Sequence, residues 1–280
     1  MQQLSGITVV VTRPAHQAEK LCKLIEAEGG VALRFPVIDI APPQNVQKCQ
    51  AQMGQLAEYD LAIFISSNAV TAALELMDRD WQWPKTVSIA AVGKSTAQAL
   101  EKNRLTVKHV APVPFNSEAL LSLPDLQNIK DTRILIFRGN SGRELLRNRL
   151  RERGATVDYI ECYQRVIPHI DPQPLYEAWK KVPNQKTSTS LLTSKKDVKL
   201  MPMLMPIVVT SSEGLKNLVS MVNPDHLSLL LSSPLVMISE RTANLSVTLG
   251  FSGSPTVATA ANDEAILEAL KTWALSVKSH

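Results

Sequence analysis

The chain has 280 residues, of which 45% are hydrophobic and 20% are charged, and its formal net charge is +4 at pH 7. These values exclude a disordered or fibrous chain and predict a globular protein of two domains, since a domain takes about 150 residues. The small, scattered positive charge suits an anionic small molecule as ligand, but it excludes a dedicated nucleic-acid binder.

Strands and helices are predicted to alternate along the chain. The first strand, 7–11, precedes a helix that Pro14 can begin and Gly29-Gly30 can end, and 31–35 is the second strand. Further strands, each followed by a helix, are predicted at 61–65, 87–92, 133–137, 207–209 and 235–238, with a last helix near 262–274. This alternation predicts the α/β class, with doubly wound parallel sheets covered by helices on both faces.

Two extended, proline-bearing segments, 37–43 and 163–174, interrupt this alternation. We predict that the chain leaves one domain at the first segment and returns to it at the second. A stretch at about 183–206, rich in Lys, Ser, Thr and Met, is predicted to be a long surface loop. Its alternating methionines, Met201, Met203 and Met205, are interpreted as a chance apolar run.

Several other classes of protein are not expected. Cys22, Cys49 and Cys162 are odd in number and far apart, which argues against a disulfide framework or a zinc site and favours the reducing cytoplasm. No histidine pair has metal-binding spacing, so we expect no metal. The N-terminus lacks the layout of a secretory signal, and no apolar run reaches roughly 18 residues, so we expect no association with a membrane.

Small polar residues follow the predicted strands at six strand-to-helix turns. In a parallel sheet such turns lie at the carboxyl edge, where ligands bind and helix N-termini present unpaired N–H groups. Ser and Thr add hydroxyl donors, and Arg can bind a carboxylate through two hydrogen bonds. We therefore predict a ligand with several negative groups. The residues predicted to bind it are Thr12, Arg13, Ser66, Ser67, Asn68, Gly93, Ser95, Thr96, Arg138, Gly139, Asn140, Ser141, Ser211, Ser212, Ser239 and Arg241.

Three alternative interpretations stay open at this point. Ser, Thr and Asn are also the usual N-cap residues, and a cap stabilises its helix by about 1 kcal/mol without any ligand. The run Gly93-Lys94-Ser95-Thr96 is similar to the end of a Walker A loop, although Ser88 stands where that motif needs its first glycine. A nucleotide enzyme that uses Lys94 is therefore a less favoured alternative. A non-enzymatic two-domain protein that binds an anionic metabolite would carry the same turns.

Short motifs along the chain, apart from about 183–206, carry a resemblance to a known family. They are Val11-Thr12-Arg13-Pro14 with Gln17-Ala18, Phe35-Pro36, Ser66-Ser67-Asn68-Ala69-Val70, Ala91-Val92-Gly93 with Thr96-Ala97, Asn116-Ser117-Glu118, Phe137-Arg138-Gly139-Asn140-Ser141-Gly142-Arg143-Glu144-Leu145, Gly154-Ala155, Cys162-Tyr163-Gln164-Arg165, Val209-Thr210-Ser211-Ser212-Glu213 and Ser239-Glu240-Arg241. In this order the chain resembles the uroporphyrinogen-III synthase family, the cyclising enzymes of tetrapyrrole biosynthesis.

The resemblance implies two flavodoxin-like doubly wound domains joined by a two-stranded linker. One domain is expected to be discontinuous, with residues 1–38 and 168–280, and the other to span 39–167. The implied enzyme is a lyase that closes hydroxymethylbilane, a linear tetrapyrrole with several carboxylates, to uroporphyrinogen III. The last pyrrole ring is inverted, water is lost, and no cofactor or metal is implied.

Matching to the family implies a catalytic role for Tyr163, through a hydrogen bond to the departing hydroxyl. An aromatic side chain that packs across the linker is the alternative interpretation of Tyr163. Besides the small-molecule substrate, one partner is expected: the preceding enzyme of the pathway, which would hand over the substrate in a transient contact. We expect no nucleic acid and no membrane as partner. We expect a cytoplasmic monomer, because no extended apolar stripe is left over.

Overall fold

The structure of the protein, a computed structural model, describes residues 2–77, 81–181 and 205–278. The chain divides into two compact units. The first unit comprises Met1–Asp39 and Ile167–His280, and the second comprises Ile40–Val166. The α/β fold class predicted from the sequence is confirmed, since each unit contains a predominantly parallel sheet with helices packed on both faces.

The bounds of the regular elements follow the sequence closely where apolar runs are strong. The strands are β1 (Thr8–Val11), β2 (Val31–Arg34), β3 (Asp39–Ala41), β4 (Leu61–Phe64), β5 (Ser88–Ala91), β6 (His109–Val110), β7 (Arg133–Gly139), β8 (Thr156–Val166), β9 (Ile207–Val209), β10 (Leu235–Met237) and β11 (Thr256–Val257). The α-helices are α1 (Ala15–Ala27), α2 (Val46–Gly54), α3 (Ser67–Glu75), α4 (Lys94–Lys102), α5 (Ser117–Leu121), α6 (Leu145–Glu152), α7 (Gln173–Lys181), α8 (Ser212–Met221), α9 (Leu227–Ser232), α10 (Glu240–Thr248) and α11 (Asp263–Lys278). Short 3₁₀ helices lie at Leu56–Glu58, Pro124–Leu126 and Pro224–His226.

The first unit is built on a five-stranded parallel sheet with the order β11-β10-β9-β1-β2. Alternate side chains of β1 point to opposite faces, because side chains alternate along a strand. Val9 and Val11 pack against α1 and α11, whereas Val10 packs in the core that includes α7, α8 and α10. The strand order corresponds to the flavodoxin order 2-1-3-4-5.

The second unit is built on a six-stranded sheet with the order β3-β8-β7-β4-β5-β6. The strands from β8 to β6 are parallel. Five of its strands, in the order β8-β7-β4-β5-β6, correspond in position to β2-β1-β9-β10-β11 of the first sheet. The unit β7-α6-β8 thus occupies the place that β1-α1-β2 has in the first sheet. The two sheets therefore share one spatial plan, although the chain visits the strands in a different order in each.

The chain passes between the units twice, after Asp39 and after Val166, and the strands at these points, β3 and β8, are neighbours in the second sheet. The sequence placed Tyr163 in an extended connection that reached Pro174. Tyr163 is extended as predicted, but it lies in strand β8, which continues to Val166, and the last two residues of the predicted segment, Gln173 and Pro174, already belong to α7. The reason is that Cys162 and Tyr163 are buried in the core of the second unit, which keeps this end of the strand in the sheet.

The stretch predicted as a surface loop, about 183–206, lies mostly outside the described residues, and so do Met201 and Met203. Met205 is described, and it is buried at 2% exposure among core residues. The carbonyl of Pro206 accepts a hydrogen bond from the Val10 N–H at 2.9 Å. The end of the predicted loop is therefore already part of the packed sheet, because it leads directly into β9.

Within the described segments, no helix combines the length and the hydropathy that a membrane-spanning helix requires.

Candidate functional site

Each sheet has one topological switch point, where the strands on one side follow the chain in one direction across the sheet and the strands on the other side follow it in the opposite direction. In the first sheet this switch point lies between β1 and β9, and in the second it lies between β4 and β7. Ligands of such sheets bind outside the carboxyl ends of the strands at the switch point. Four of the six predicted turns flank these two points, because they follow β1, β4, β7 and β9.

At the switch point of the second unit, the structure brings together residues that the sequence places far apart. The phenol oxygen of Tyr163 lies 3.3 Å from Ser66 Oγ, and the Asn140 N–H donates to the Tyr163 carbonyl at 3.1 Å. The Asn140 side-chain oxygen accepts from the Arg165 N–H at 3.0 Å. The turns after β4 and β7 and the end of β8 therefore form one hydrogen-bonded cluster.

Gly139 makes the position of Tyr163 possible. The register of β7 and β8 shifts between Arg138 and Gly139, so that Gly139 pairs with Tyr163. A Cβ atom at Gly139 would lie 2.7 Å from two carbons of the Tyr163 ring. The ring therefore lies directly against the glycine backbone, where another residue would leave no room.

Tyr163 is only 1% exposed, and its ring belongs to the core of the second unit. Its hydroxyl is directed at Ser66, and its ring packs against other residues of the second unit. Packing of the ring across the linker stays a prediction. Contact of this hydroxyl with a substrate stays a prediction.

Arg138 was predicted to bind carboxylates of a ligand, but its side chain is engaged inside the second unit. It is 4% exposed, and Nη1 donates to Glu144 Oε1 at 2.8 Å while its guanidinium lies 4.3 Å from the centre of the Tyr159 ring. Tyr159 and Arg147 both contact the other oxygen of Glu144, at 3.0 and 2.7 Å. Burial acts to raise the pKa of Glu144, but the hydrogen bonds from Arg138 and Tyr159 outweigh it and hold that pKa below the usual range.

The other residues of the turn after β7 are more open. Gly139 is buried beneath Tyr163, whereas Asn140 and Ser141 are exposed. The Arg138–Glu144 ion pair spans this turn, so it fixes the conformation in which Asn140 and Ser141 are presented. In this arrangement Arg138 supports the turn, and its role as a ligand-binding residue stays a prediction.

In the first unit, the residues after β1 are also engaged. The Thr12 hydroxyl is buried and donates to the Val208 carbonyl of β9 at 2.7 Å. Arg13 forms an ion pair with Asp263, the first residue of α11. Both side chains thereby connect β1 to elements from the far end of the chain, which supports the sheet at its switch point.

Thr12→Val should lower the free energy of unfolding by about 1 kcal/mol, because it removes the buried hydrogen bond to Val208 and keeps the side-chain volume. Urea denaturation followed by circular dichroism measures this change. Thr272→Val, on the exposed part of α11, is the matched control and should change stability by less than about 0.5 kcal/mol. Unchanged stability together with weaker substrate binding would instead assign the Thr12 hydroxyl to the ligand.

Three of the predicted serines are helix N-caps, which confirms the capping interpretation for them. Ser66 Oγ accepts from the Ala69 N–H, Ser211 Oγ from the Gly214 N–H at 2.9 Å, and Ser239 Oγ from the Thr242 N–H at 3.3 Å. In both tandem pairs the second serine, Ser67 or Ser212, is the first residue of the helix and is half-buried, as is Asn68 beside Ser67. In each pair only the first serine caps the helix, so the side chain of the second serine is not needed for capping.

Thr242 was not predicted, although it joins two of the turns in the first unit. Its hydroxyl lies 3.0 Å from Ser239 Oγ and 3.3 Å from Ser212 Oγ, and the residue is buried. The position three residues after the Ser239 cap is the only sequence signal for it. Arg241 precedes it in the first turn of α10; it is exposed, and its side chain has no partner among the described residues.

The turn after β5 is the simplest of the six. Gly93 is the N-cap of α4 and supplies no side chain, Ser95 is exposed, and Thr96 is buried. Ser88, which stands at the first glycine position of a Walker A motif, is the first residue of β5 and pairs with Leu61. The residues present therefore do not form the long glycine-rich loop that cradles phosphates in nucleotide enzymes.

In segments 2–77, 81–181 and 205–278, no group of three or more His, Cys, Asp or Glu side chains is arranged to hold a metal ion.

Known proteins are similar to this chain over most of its length. A family model described as uroporphyrinogen-III synthase HemD matches residues 19–267. The protein named uroporphyrinogen-III synthase from Escherichia coli (strain K12) is 36% identical over 273 residues, which cover 95% of this chain and 100% of that protein. The protein of the same name from Salmonella typhimurium is 34% identical over 270 residues, with 95% and 100% covered.

Solved structures support the same fold. The uroporphyrinogen-III synthetase of Helicobacter pylori matches with a TM-score of 0.62 at 14% identity, covering 95% of this chain and 99% of that one. A mutant uroporphyrinogen III synthase of Thermus thermophilus matches with a TM-score of 0.58 at 18% identity, covering 98% and 100%. The family model and the curated relatives confirm the resemblance predicted from the motifs, and the chain belongs to the uroporphyrinogen-III synthase family.

Proposed function

We propose that this protein is a lyase that cyclises hydroxymethylbilane to uroporphyrinogen III, with inversion of the last pyrrole ring and loss of water. The observation that carries this proposal is the 36% identity to the Escherichia coli protein named uroporphyrinogen-III synthase, over the whole length of that protein. The reaction belongs to tetrapyrrole biosynthesis. Its substrate is a small molecule with several carboxylates, the kind of ligand that the polar turns favour.

Few of the covalent steps of the reaction need a side chain of the protein. The C–O bond of the hydroxymethyl group breaks, the hydroxyl leaves as water with one added proton, and the electron pair of the pyrrole nitrogen stabilises the cation that remains. The task of the protein is to fold the last ring so that the inverted product forms. Holding reacting atoms in one orientation can lower a barrier by several kcal/mol.

Ten of the sixteen residues predicted to bind the ligand divide into two groups in this proposal. Thr12, Thr96 and Arg138 are buried, so they hold the turns in shape. The more accessible residues would contact the carboxylates together with the backbone N–H groups of the helix N-termini. These residues are Ser67, Asn68, Ser95, Asn140, Ser141, Ser212 and Arg241.

Arg241 supports this division for a physical reason. A positive charge in the first turn of a helix is unfavourable next to the positive end of the helix dipole. Arg241 is exposed at this position in α10, and no described residue pairs with it. A substrate carboxylate would supply the missing partner and bind at the same helix end.

We further propose that residues 1–38 with 168–280 and residues 39–167 are the two domains, and that the protein acts as a cytoplasmic monomer that receives its substrate from the preceding enzyme. The two compact units are consistent with this domain division. All three cysteines are free thiols, as expected in a reducing compartment. Burial raises the pKa of the Cys162 thiol to about 12, so this residue is not a nucleophile at neutral pH.

Incubation of the protein with freshly made hydroxymethylbilane tests the activity. We expect the isomer with the inverted last ring, separated chromatographically from the uninverted ring that forms spontaneously. A protein that only binds the substrate would yield the uninverted ring alone, and this result would overturn the proposal. Lys94→Ala serves as the control for a nucleotide enzyme, because the proposed activity should be independent of ATP and of Lys94.

A further inference from the structure

A cavity of about 380 Å³ lies in the second unit between α2 and β8. Asn45, Lys48 and Gln52 line it from the side of α2, and Glu161 and Gln164 line it from β8. Asn140 and Tyr163 also form part of its wall. The cavity therefore adjoins the hydrogen-bonded cluster at the switch point, although none of the α2 residues was predicted from the sequence.

Two opposite charges in this cavity have no partner among the residues that the structure describes. The side chains of Lys48 and Glu161 are exposed and form no ion pair or hydrogen bond with any described residue. Unpaired Lys and Glu side chains are ordinary on an open surface. In this case, however, both line the same concave site, where a ligand can contact them together.

The amide side chains of the cavity are each fixed at one end. Gln52 Nε2 donates to the Tyr159 carbonyl at 3.1 Å, and Gln164 Nε2 donates to the Pro42 carbonyl at 3.0 Å. Asn45 Oδ1 accepts from the Lys48 N–H at 2.8 Å. These bonds leave the amide oxygens of the two glutamines as acceptors and the amide nitrogen of Asn45 as a donor. The cavity thus offers both kinds of hydrogen-bonding group on side chains that are already held in place.

We propose that this cavity binds one carboxylate-bearing pyrrole ring of the substrate, an inference that rests on the proposed function. Glu161 accepts a hydrogen bond from the pyrrole N–H, and Lys48 pairs with a carboxylate arm of the same ring. Hydrogen bonds with one charged partner are shorter and stronger than neutral ones. Gln52, Gln164 and Asn45 complete the contacts to the ring and its arms.

The size and the charge pattern of the cavity select this ligand. Small-molecule sites occupy about 300–1,000 Å³, so a cavity of about 380 Å³ has room for one substituted ring of the substrate. A simple carboxylate would be repelled by Glu161, whereas a ring with an N–H donor and an acid arm matches both charges. The shared wall with Asn140 and Tyr163 places such a ring next to the predicted site.

The experiment measures two quantities for the full chain: the affinity for a monopyrrole that carries an acetate and a propionate arm, by calorimetric titration, and KM and kcat for the linear tetrapyrrole. Glu161→Gln and Lys48→Gln should each weaken monopyrrole binding about tenfold, the equivalent of about 1.4 kcal/mol. Each should also raise KM by more than it lowers kcat, because the lost contact contributes to binding. Glu101→Gln and Lys102→Gln, at the exposed C-terminal end of α4, are the matched controls and should leave both quantities unchanged.

The results also separate this inference from the proposed function. Monopyrrole binding that is absent in the wild type, or equal in Glu161→Gln and Glu101→Gln, would overturn the cavity as a pyrrole site. If the inverted isomer still forms in that case, the proposed function stands without it. Conversely, monopyrrole binding that depends on Glu161 in a protein that yields no inverted isomer would support the cavity and reject the proposed function.

Discussion

Gly139→Ala is expected to destabilise the protein and to slow its reaction together. The new Cβ would lie 2.7 Å from the Tyr163 ring, which is 1% exposed and cannot move away without displacing its core neighbours. Overpacking of this kind lowers the free energy of unfolding by about 1–3 kcal/mol. Any shift of Tyr163 also disturbs its contact with Ser66, and a misplacement of about 1 Å can reduce a rate about 10²-fold. Urea denaturation and the isomer assay measure the two effects.

Gly54→Ala is the control for this substitution. Gly54 ends α2 in open space, where an alanine should stabilise the helix by about 0.5–1 kcal/mol. A second check removes the ring. In a protein that already carries Tyr163→Leu, adding Gly139→Ala should lower the free energy of unfolding much less than it does in the wild type. If Gly139→Ala and Gly54→Ala were equally stable, the close approach of ring and glycine would be refuted.

Tyr163→Phe is expected to reduce turnover about 10²-fold, the lower end of what proton transfer or hydrogen bonding to a reacting group contributes. The protein should remain folded, because the ring stays in the core and only the hydrogen bond to Ser66 is lost, at a cost of about 1 kcal/mol. Turnover in the isomer assay and the midpoint of urea denaturation measure the two effects. Wild-type turnover in this variant would remove Tyr163 from the catalytic machinery.

A double-mutant cycle with Ser66→Ala then distinguishes how Tyr163 acts. Because the phenol is buried against Ser66, we expect the two hydroxyls to act as a unit on the departing hydroxyl, so the double variant should be about as slow as either single variant. Fully additive losses would show that Tyr163 acts on the reaction independently of Ser66. Ser66 also caps α3, so the stability of each variant has to be measured beside its rate.

Most of the core strands, though not β8, were predictable from the sequence because they are buried on both faces. Ile207–Val209 and Leu61–Phe64 are uninterrupted apolar runs, and such runs are typical of strands in a covered parallel sheet. The short helices α2, α5, α7 and α9 were not predicted. The helix α2 has only Cys49 and Met53 as buried residues among glutamines, and α5 spans one turn, so neither carries a strong helical period.

The positions of the strand-to-helix turns were also predictable, because small polar residues directly after a buried strand are typical of the start of the next helix, at the carboxyl edge of a parallel sheet. Their contacts were not. The meeting of Tyr163 with Gly139 depends on a one-residue shift between β7 and β8, and the burial of Arg138 depends on Glu144 and Tyr159. Strand order and register are set by long-range packing, and a single sequence does not report them.

The strand order has a consequence for biosynthesis on the ribosome. In the first sheet β1 lies between β2 and β9, but 172 residues separate Arg34, where β2 ends, from Ile207, where β9 begins. At about 5–20 residues per second, roughly 10–35 s pass before that neighbour is translated. The insert Ile40–Val166 is continuous and can acquire its structure on the nascent chain meanwhile. The valine-rich edge of β1 that pairs with β9 stays unpaired during this time, and an unpaired strand edge can pair with another chain.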